Sequence, residues 1–324
     1  MKQFWREVGL ALVLGMLMPG FILNIVTYSS HRRNQVTVPM ASEKAEDTRI
    51  EVLYGDGTVR ETDLESYLVG VVLGEMPAEF EVEALKAQAV VARTYTLRAW
   101  DRKGKHPEAA VCTDSACCQA YRTVEDYLAA GGREESVEKI RRAVDSTAGM
   151  VLTYEGELIE ATYFSCSGGM TEDALAVWGT EVPYLQSVSS PGEEQATYYT
   201  DTVTFTYEQV RELLGLPAET GKIQFENITY TAGGGVAELS VDGRQFRGTE
   251  IRKFLGLRST AFTVTEMEDS VTFHTRGFGH RVGMSQYGAD AMAVNGSDFE
   301  EILLHYYPGT VLENRSIDKP VFLG

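Results

Sequence analysis

The 324-residue sequence has no run rich in lysine and arginine, and its formal net charge is -18. Phosphate backbones would be repelled, which argues against a DNA- or RNA-binding role. A Gly-Lys-Ser/Thr phosphate loop is also missing, although glycines crowd the stretch holding Gly277, Gly279, Gly283 and Gly288. Nucleotide binding is therefore disfavoured. No Gly-x-Ser-x-Gly elbow surrounds Ser165, so the usual serine-hydrolase nucleophile lacks support. What is present is an apolar fraction of 44%, that of a folded protein, in a chain long enough for one large or two ordinary domains.

The N-terminal part lacks an Ala-x-Ala-like cleavage site. Its apolar run, Val8 to Tyr28, has about the 20 residues a bilayer core requires and exceeds the usual signal core of roughly 7–15. Residues 1–29 are thus expected to be an uncleaved membrane anchor, and the polar residues 30–47 a linker. Lys2 and Arg6 before the span nearly balance Arg32 and Arg33 after it, so positive charge does not fix the orientation. A short N-terminal side and a long folded C-terminal side fit a single-pass protein with its domain exported.

The domain, residues 48–324, is organised around Tyr67 to Arg98. Glu75 ends an apolar run (Val69, Gly70, Val71, Val72, Leu73, then Met76), and Pro77 biases the backbone out of the helical region just beyond it. Glu81 to Arg98 reads helical again, with Val82, Leu85, Ala89 and Ala92 on one stripe and Lys86 and Arg93 away from it. A carboxyl group at a helix end in apolar surroundings resists ionising and can donate a proton near neutral pH. The plainer alternative is that Glu75 caps the second helix or is simply solvated.

Around this centre the pattern is mixed α/β with irregular topology. Arg49–Leu53 and Thr58–Thr62 form a hairpin turned by Asp56-Gly57, and Asp63 caps the first helix. Residues 100–121 form a loop without periodicity, followed by helices over 123–128 and 136–146, the latter burying Val137, Ile140 and Val144. A second hairpin, 150–154 with 158–164, leads into the Ser165–Gly169 loop, and Trp178, Tyr184, Tyr198 and Tyr199 follow. Residues 202–260 carry no cluster of chemically able groups and read as an inserted β-rich subdomain. The pattern returns to strand at 262–264 and 271–275, then come helices over 285–294 and 298–307.

Cys112, Cys117, Cys118 and Cys166 lie in the part expected to be exported, so disulfides are one reading. Another is zinc: His106, Cys112 and Cys118 recur at equal spacings in one loop, and an imidazole with two thiolates is a sound zinc set. Ser165 or Cys166 with His280 could also form a nucleophilic dyad.

Tyr67-Leu68-Val69-Gly70-Val71-Val72, Gly74-Glu75-Met76-Pro77-Ala78-Glu79-Phe80, Glu83-Ala84-Leu85-Lys86-Ala87-Gln88-Ala89 and Ala92-Arg93-Thr94-Tyr95 resemble the first signature of the stage II sporulation protein D family. Gly279-His280 with Val282-Gly283-Met284-Ser285-Gln286-Tyr287-Gly288-Ala289 is similar to its second. The resemblance implies a membrane-anchored lytic transglycosylase, lodged in the mother-cell membrane facing the forespore, that cuts peptidoglycan glycan strands during engulfment. It implies Glu75 as the catalytic acid, and Arg93, Ser165, Ser167, His280, Gln286 and Tyr287 as substrate contacts. It also implies a structural zinc on His106, Cys112 and Cys118, and as partners an amidase (stage II sporulation protein P) and a membrane scaffold (stage II sporulation protein M). One acid suffices for that chemistry: it protonates the glycosidic oxygen, then draws the proton from the sugar's own 6-hydroxyl, leaving a 1,6-anhydro end. Two residues depart from the family pattern, Arg281 where glycine is usual and Cys166 in place of threonine.

Overall fold

The computed structural model describes residues 48–102 and 105–315. The expected anchor and linker lie outside the described residues. Among those described, no helix is long and apolar enough to cross a membrane.

Arg49–Leu53 and Val59–Asp63 pair antiparallel, with Ile50 and Val52 turned fully inward. The alternation of buried and exposed residues along the first strand is what a half-buried sheet requires. Val111–Cys112 joins the same sheet in parallel, with Leu53 opposite Cys112, which anchors the cysteine loop to the fold. Asp63 accepts a hydrogen bond from the Ser66 amide at 2.8 Å and starts the helix Leu64–Glu75. That helix is buried on nearly every side, so it carries little amphipathic pattern. It stops where expected, because Met76, ahead of Pro77, is extended at φ -123°, ψ 144°.

Gly70 and Gly74 share one face of this helix. A Cβ at Gly70 would lie 2.2 Å from the Tyr121 ring, and one at Gly74 would lie 2.9 Å from the Ala120 backbone. The absence of side chains lets the segment Gln119–Tyr121 lie directly on the helix, with the Arg122 amide donating to the Gly70 carbonyl at 3.0 Å.

The second helix runs Val82–Asp101, three residues beyond the expected end. Leu85, Ala89 and Ala92 of its expected stripe are fully buried, while Val82 is exposed. Arg93, expected off the stripe, is also fully buried. This helix is covered on several faces by the first helix, by Glu134–Ser146, by Phe299–Tyr306 and by the strand Met150–Tyr154. The expected buried row Val137, Ile140 and Val144 does face this core.

Met150–Tyr154 pairs with Glu157–Leu158 and with Val311–Asn314. The expected hairpin over 158–164 is cut short: Tyr163–Phe164 leaves it and pairs in parallel with Met284–Ser285. That exchange sets the Ser/Gly loop beside the second signature.

A second core holds Val210, Ile223, Leu239, Val241, Ile251, Val271 and Phe273. It is built from the sheet of Thr200–Thr206, Phe262–Glu266 and Ser270–Arg276, a second sheet of Phe225–Glu226, Glu238–Val241 and Arg244–Arg247, and the helices Tyr207–Leu214 and Gly248–Leu255. The expected strands after residue 260 form and complete the second core. Ser270–Arg276 is its central strand, paired with Thr200–Thr206 along its whole length.

Candidate active site

Glu75 is half-buried at the end of its helix, where three other segments converge. Its Oε1 accepts from the Ala120 amide at 2.6 Å and from the Tyr163 hydroxyl at 3.1 Å, and its Oε2 from Gln286 Nε2 at 3.4 Å. Burial pushes its carboxyl above the usual range, against the opposing pull of these three donors. None of the groups that set its proton affinity is another carboxylate.

Gln286 opens the helix Gln286–Val294, which Ser285 caps by accepting from the Gly288 amide at 3.2 Å. The Gln286 side chain is buried and also touches Gln88 Oε1 at 3.5 Å. Tyr287 packs edge-on to Phe80, with ring centres 4.9 Å apart, and its amide donates to the Ser165 carbonyl at 3.0 Å. Asp290 accepts from the Glu81 amide at 2.7 Å. The second signature therefore braces the turn after Glu75 as well as touching the acid.

The Ser/Gly loop is organised by a residue the sequence reading did not single out. Glu193 is buried, and its Oε2 accepts from the Ser167 amide (2.8 Å), the Ser167 hydroxyl (2.8 Å) and the Gly168 amide (2.9 Å). Its Oε1 accepts from the Ser190 hydroxyl at 2.6 Å and the Ser285 hydroxyl at 2.5 Å. One carboxylate thus ties this loop to the cap of the Gln286 helix. Ser167, expected at the substrate, is fully buried and spends its hydroxyl on Glu193; Ser165 remains half-buried. Burial and the adjacent Glu193 charge push the Cys166 thiol up to about 12, and the thiol donates to Glu193 Oε2 at 3.3 Å, which disfavours a Cys166–His280 dyad.

His280 is half-buried between Phe164 and Trp178, with ring centres 5.6 and 5.5 Å away. Its Nδ1 accepts from the Val282 amide at 3.1 Å, and burial, with the Arg252 charge, lowers its pKa to about 4. It is a neutral imidazole at physiological pH.

Arg93 does not reach a groove. Its Nε and Nη2 pair with both oxygens of Glu65 at 2.8 and 2.5 Å, Nη2 also donates to the Val144 carbonyl at 3.3 Å, and Nη1 donates to the Met150 carbonyl at 3.2 Å. Its expected role at the substrate gives way to a structural one, because a fully buried guanidinium with its donors spent cannot meet a ligand.

The metal set is larger than expected. His106, Cys112, Cys117 and Cys118 hold their ligand atoms within 4.8 Å of one another. His106 Nε2 lies 3.5 Å from Cys117 Sγ and 3.4 Å from Cys118 Sγ, and the two sulfurs are 4.0 Å apart. Tetrahedral zinc with bonds near 2.3 Å needs ligand separations of about 3.8 Å, so three thiolates and one imidazole here fit that ion. Cys117 supplies a fourth donor atom to the set. Glu75 is left free for its own three partners.

A family model described as "Stage II sporulation protein" matches residues 55–154. The chain is 40% identical over 257 residues to stage II sporulation protein D of Bacillus subtilis (strain 168), covering 78% of this chain and 75% of that protein. It is 38% identical over 256 residues to the Bacillus amyloliquefaciens protein of the same name, covering 78% and 74%. It is also 30% identical over 299 residues to an amidase enhancer of Bacillus subtilis (strain 168), covering 76% of this chain and 40% of that one. With its Glu75 end, its Gln286 helix and these relatives together, the chain belongs to the stage II sporulation protein D family.

Proposed function

We propose that this chain acts in sporulation as a lytic transglycosylase on peptidoglycan glycan strands, those stripped of stem peptides above all. The observation that carries the reading is the half-buried carboxyl of Glu75, raised by burial and hydrogen-bonded by an amide, a phenol and a carboxamide, with no carboxylate among these partners. A hydrolase of the inverting or retaining kind needs two carboxyl groups flanking the bond. A lyase that uses the sugar's own 6-hydroxyl needs one. Glu75 gives its proton to the glycosidic oxygen, then takes the hydroxyl proton as that oxygen closes onto the anomeric carbon. Its raised proton affinity serves the first step, and the Ala120, Tyr163 and Gln286 donors steady the carboxylate between the two.

Zinc on His106, Cys112, Cys117 and Cys118 would supply structure, ordering the loop that ends in Gln119 and Ala120. The relatives named stage II sporulation protein D support the sporulation role, and the one named amidase enhancer supports an amidase as partner. Stage II sporulation protein P would be that amidase and stage II sporulation protein M the membrane scaffold. Residues 1–29 would anchor the exported domain.

Glu75→Gln tests the role of the acid. The variant is expected to fold as the parent does and to release no anhydro-ended fragments from purified glycan strands. Release near the parent rate would remove Glu75 from the reaction.

A further inference from the structure

Tyr163 has one hydroxyl proton and two acceptors at the same distance: Glu75 Oε1 at 3.1 Å and Gln119 Oε1 at 3.1 Å. The Gln119 amide is oriented by its other contacts. Its Nε2 donates to Thr96 Oγ1 at 3.0 Å, whose own proton goes to the Ala92 carbonyl at 2.8 Å, and more weakly to the Tyr67 hydroxyl at 3.5 Å. This orientation directs the Gln119 oxygen toward Tyr163. A carboxylate outcompetes an amide oxygen for a donor, while a neutral carboxyl does not. The phenol itself stays protonated, since burial and the Glu75 charge hold its pKa well above the ordinary value.

We propose that Tyr163 is a positioning residue that follows the charge of Glu75, donating to Gln119 while Glu75 carries its proton and to Glu75 Oε1 once that proton has left. The motion is a rotation of the phenolic O–H about its C–O bond, and no bond to hydrogen breaks at the phenol. Because the Ala120 amide and Tyr163 both address Oε1, the transferable proton belongs on Oε2, beside Gln286. The Tyr163 hydroxyl then has an acceptor in each protonation state of the acid. Glu75 can give and regain one proton without leaving that donor unpaired. The inference rests on Glu75 as the acid of the proposed reaction.

The two side chains make opposite demands. Tyr163→Phe removes a donor from the ionised state, so the Glu75 pKa is expected to rise. Gln119→Leu removes the competitor that favours the protonated state, so it is expected to fall. In the Tyr163→Phe background, Gln119→Leu is expected to move it no further, because the coupling passes through the phenol. The direct readout is the carboxyl-carbon NMR titration of the 324-residue chain carrying labelled glutamate, with the Glu75 signal assigned by its loss in Glu75→Gln. The alkaline limb of strand cleavage is expected to move with it, and Tyr163→Phe turnover at neutral pH to fall on the order of tenfold. Thermal unfolding and zinc content identify a Gln119→Leu chain that has lost its fold, in which case the Tyr163→Phe titration alone decides. An unmoved or lowered Glu75 pKa in Tyr163→Phe overturns the proposal, as do shifts of the same sign in the two single variants. If the parent chain cuts no glycan, the enzyme reading fails while the NMR titrations still decide the role of the hydroxyl.

Discussion

Arg281 Nη1 lies 3.1 Å from Glu172 Oε1, and both side chains are buried. Arg281 adopts φ 66°, the left-handed region that favours the glycine usual at this place in the family. Its other nitrogens donate to the carbonyls of Ser167 (2.7 Å), Met170 (2.8 Å) and Gly233 (2.6 Å). Glu172 also accepts from the Gly235 amide at 2.9 Å and from Thr231 Oγ1 at 2.8 Å. The departure from glycine thus ties the Ser/Gly loop to the Gly233–Gly235 turn.

Arg281→Gly relieves the backbone strain but leaves Glu172 buried without its cation. It is expected to destabilise the fold by about 3 kcal/mol in urea unfolding. Adding Glu172→Gln is expected to restore part of that loss. An Arg281→Gly chain as stable as the parent would mean the pair contributes nothing.

His280 sets an acid sensitivity. Its pKa is depressed from 6.5 to about 4, so between those values the unfolded chain binds a proton that the native one does not. Stability is therefore full above pH 6.5 and is lost as pH falls toward 4, by at most about 3 kcal/mol from this group. His280→Gln is expected to flatten this part of the stability–pH curve, as read by thermal unfolding at a series of pH values. An unchanged slope would mean that His280 titrates normally.

Zinc content checks the fourth ligand. The parent is expected to carry one zinc per chain by elemental analysis, and chelation to lower its unfolding temperature by roughly 5 °C. Cys117→Ser should lose most of the metal, while Cys166→Ser, whose thiol sits by Glu193, should keep it. Full zinc in Cys117→Ser would return the site to His106, Cys112 and Cys118.

The features that local chemistry dictates were legible in the sequence. Asp63 as a cap, Pro77 as a stop and the row Val137, Ile140 and Val144 each follow from neighbours a few residues away. Gln286 beside Glu75 was readable only through resemblance, since 211 residues separate them. Arg93 misled because helical spacing places it off the apolar stripe, yet the helix is covered on that side too and Glu65 supplies the countercharge. Glu193 sits in a polar loop with nothing local to mark it as buried; its donors come from residues around 167, 190 and 285. Cys117 falls outside the equal spacing of His106, Cys112 and Cys118, and only the fold brings its sulfur to 3.5 Å from His106 Nε2. The strands after residue 260 were legible as strands, but alternation does not name a partner, and that of Ser270–Arg276 lies at Thr200–Thr206.

In the proposed reaction the sugar's own hydroxyl, not water, attacks the carbon released when Glu75 gives up its proton. Cleavage of purified glycan strands in oxygen-18 water, followed by mass spectrometry of the new ends, tests it most directly. The expected products are 1,6-anhydro ends, one water lighter than reducing ends and free of label. Reducing ends that carry the heavy oxygen would contradict it and make the chain a hydrolase.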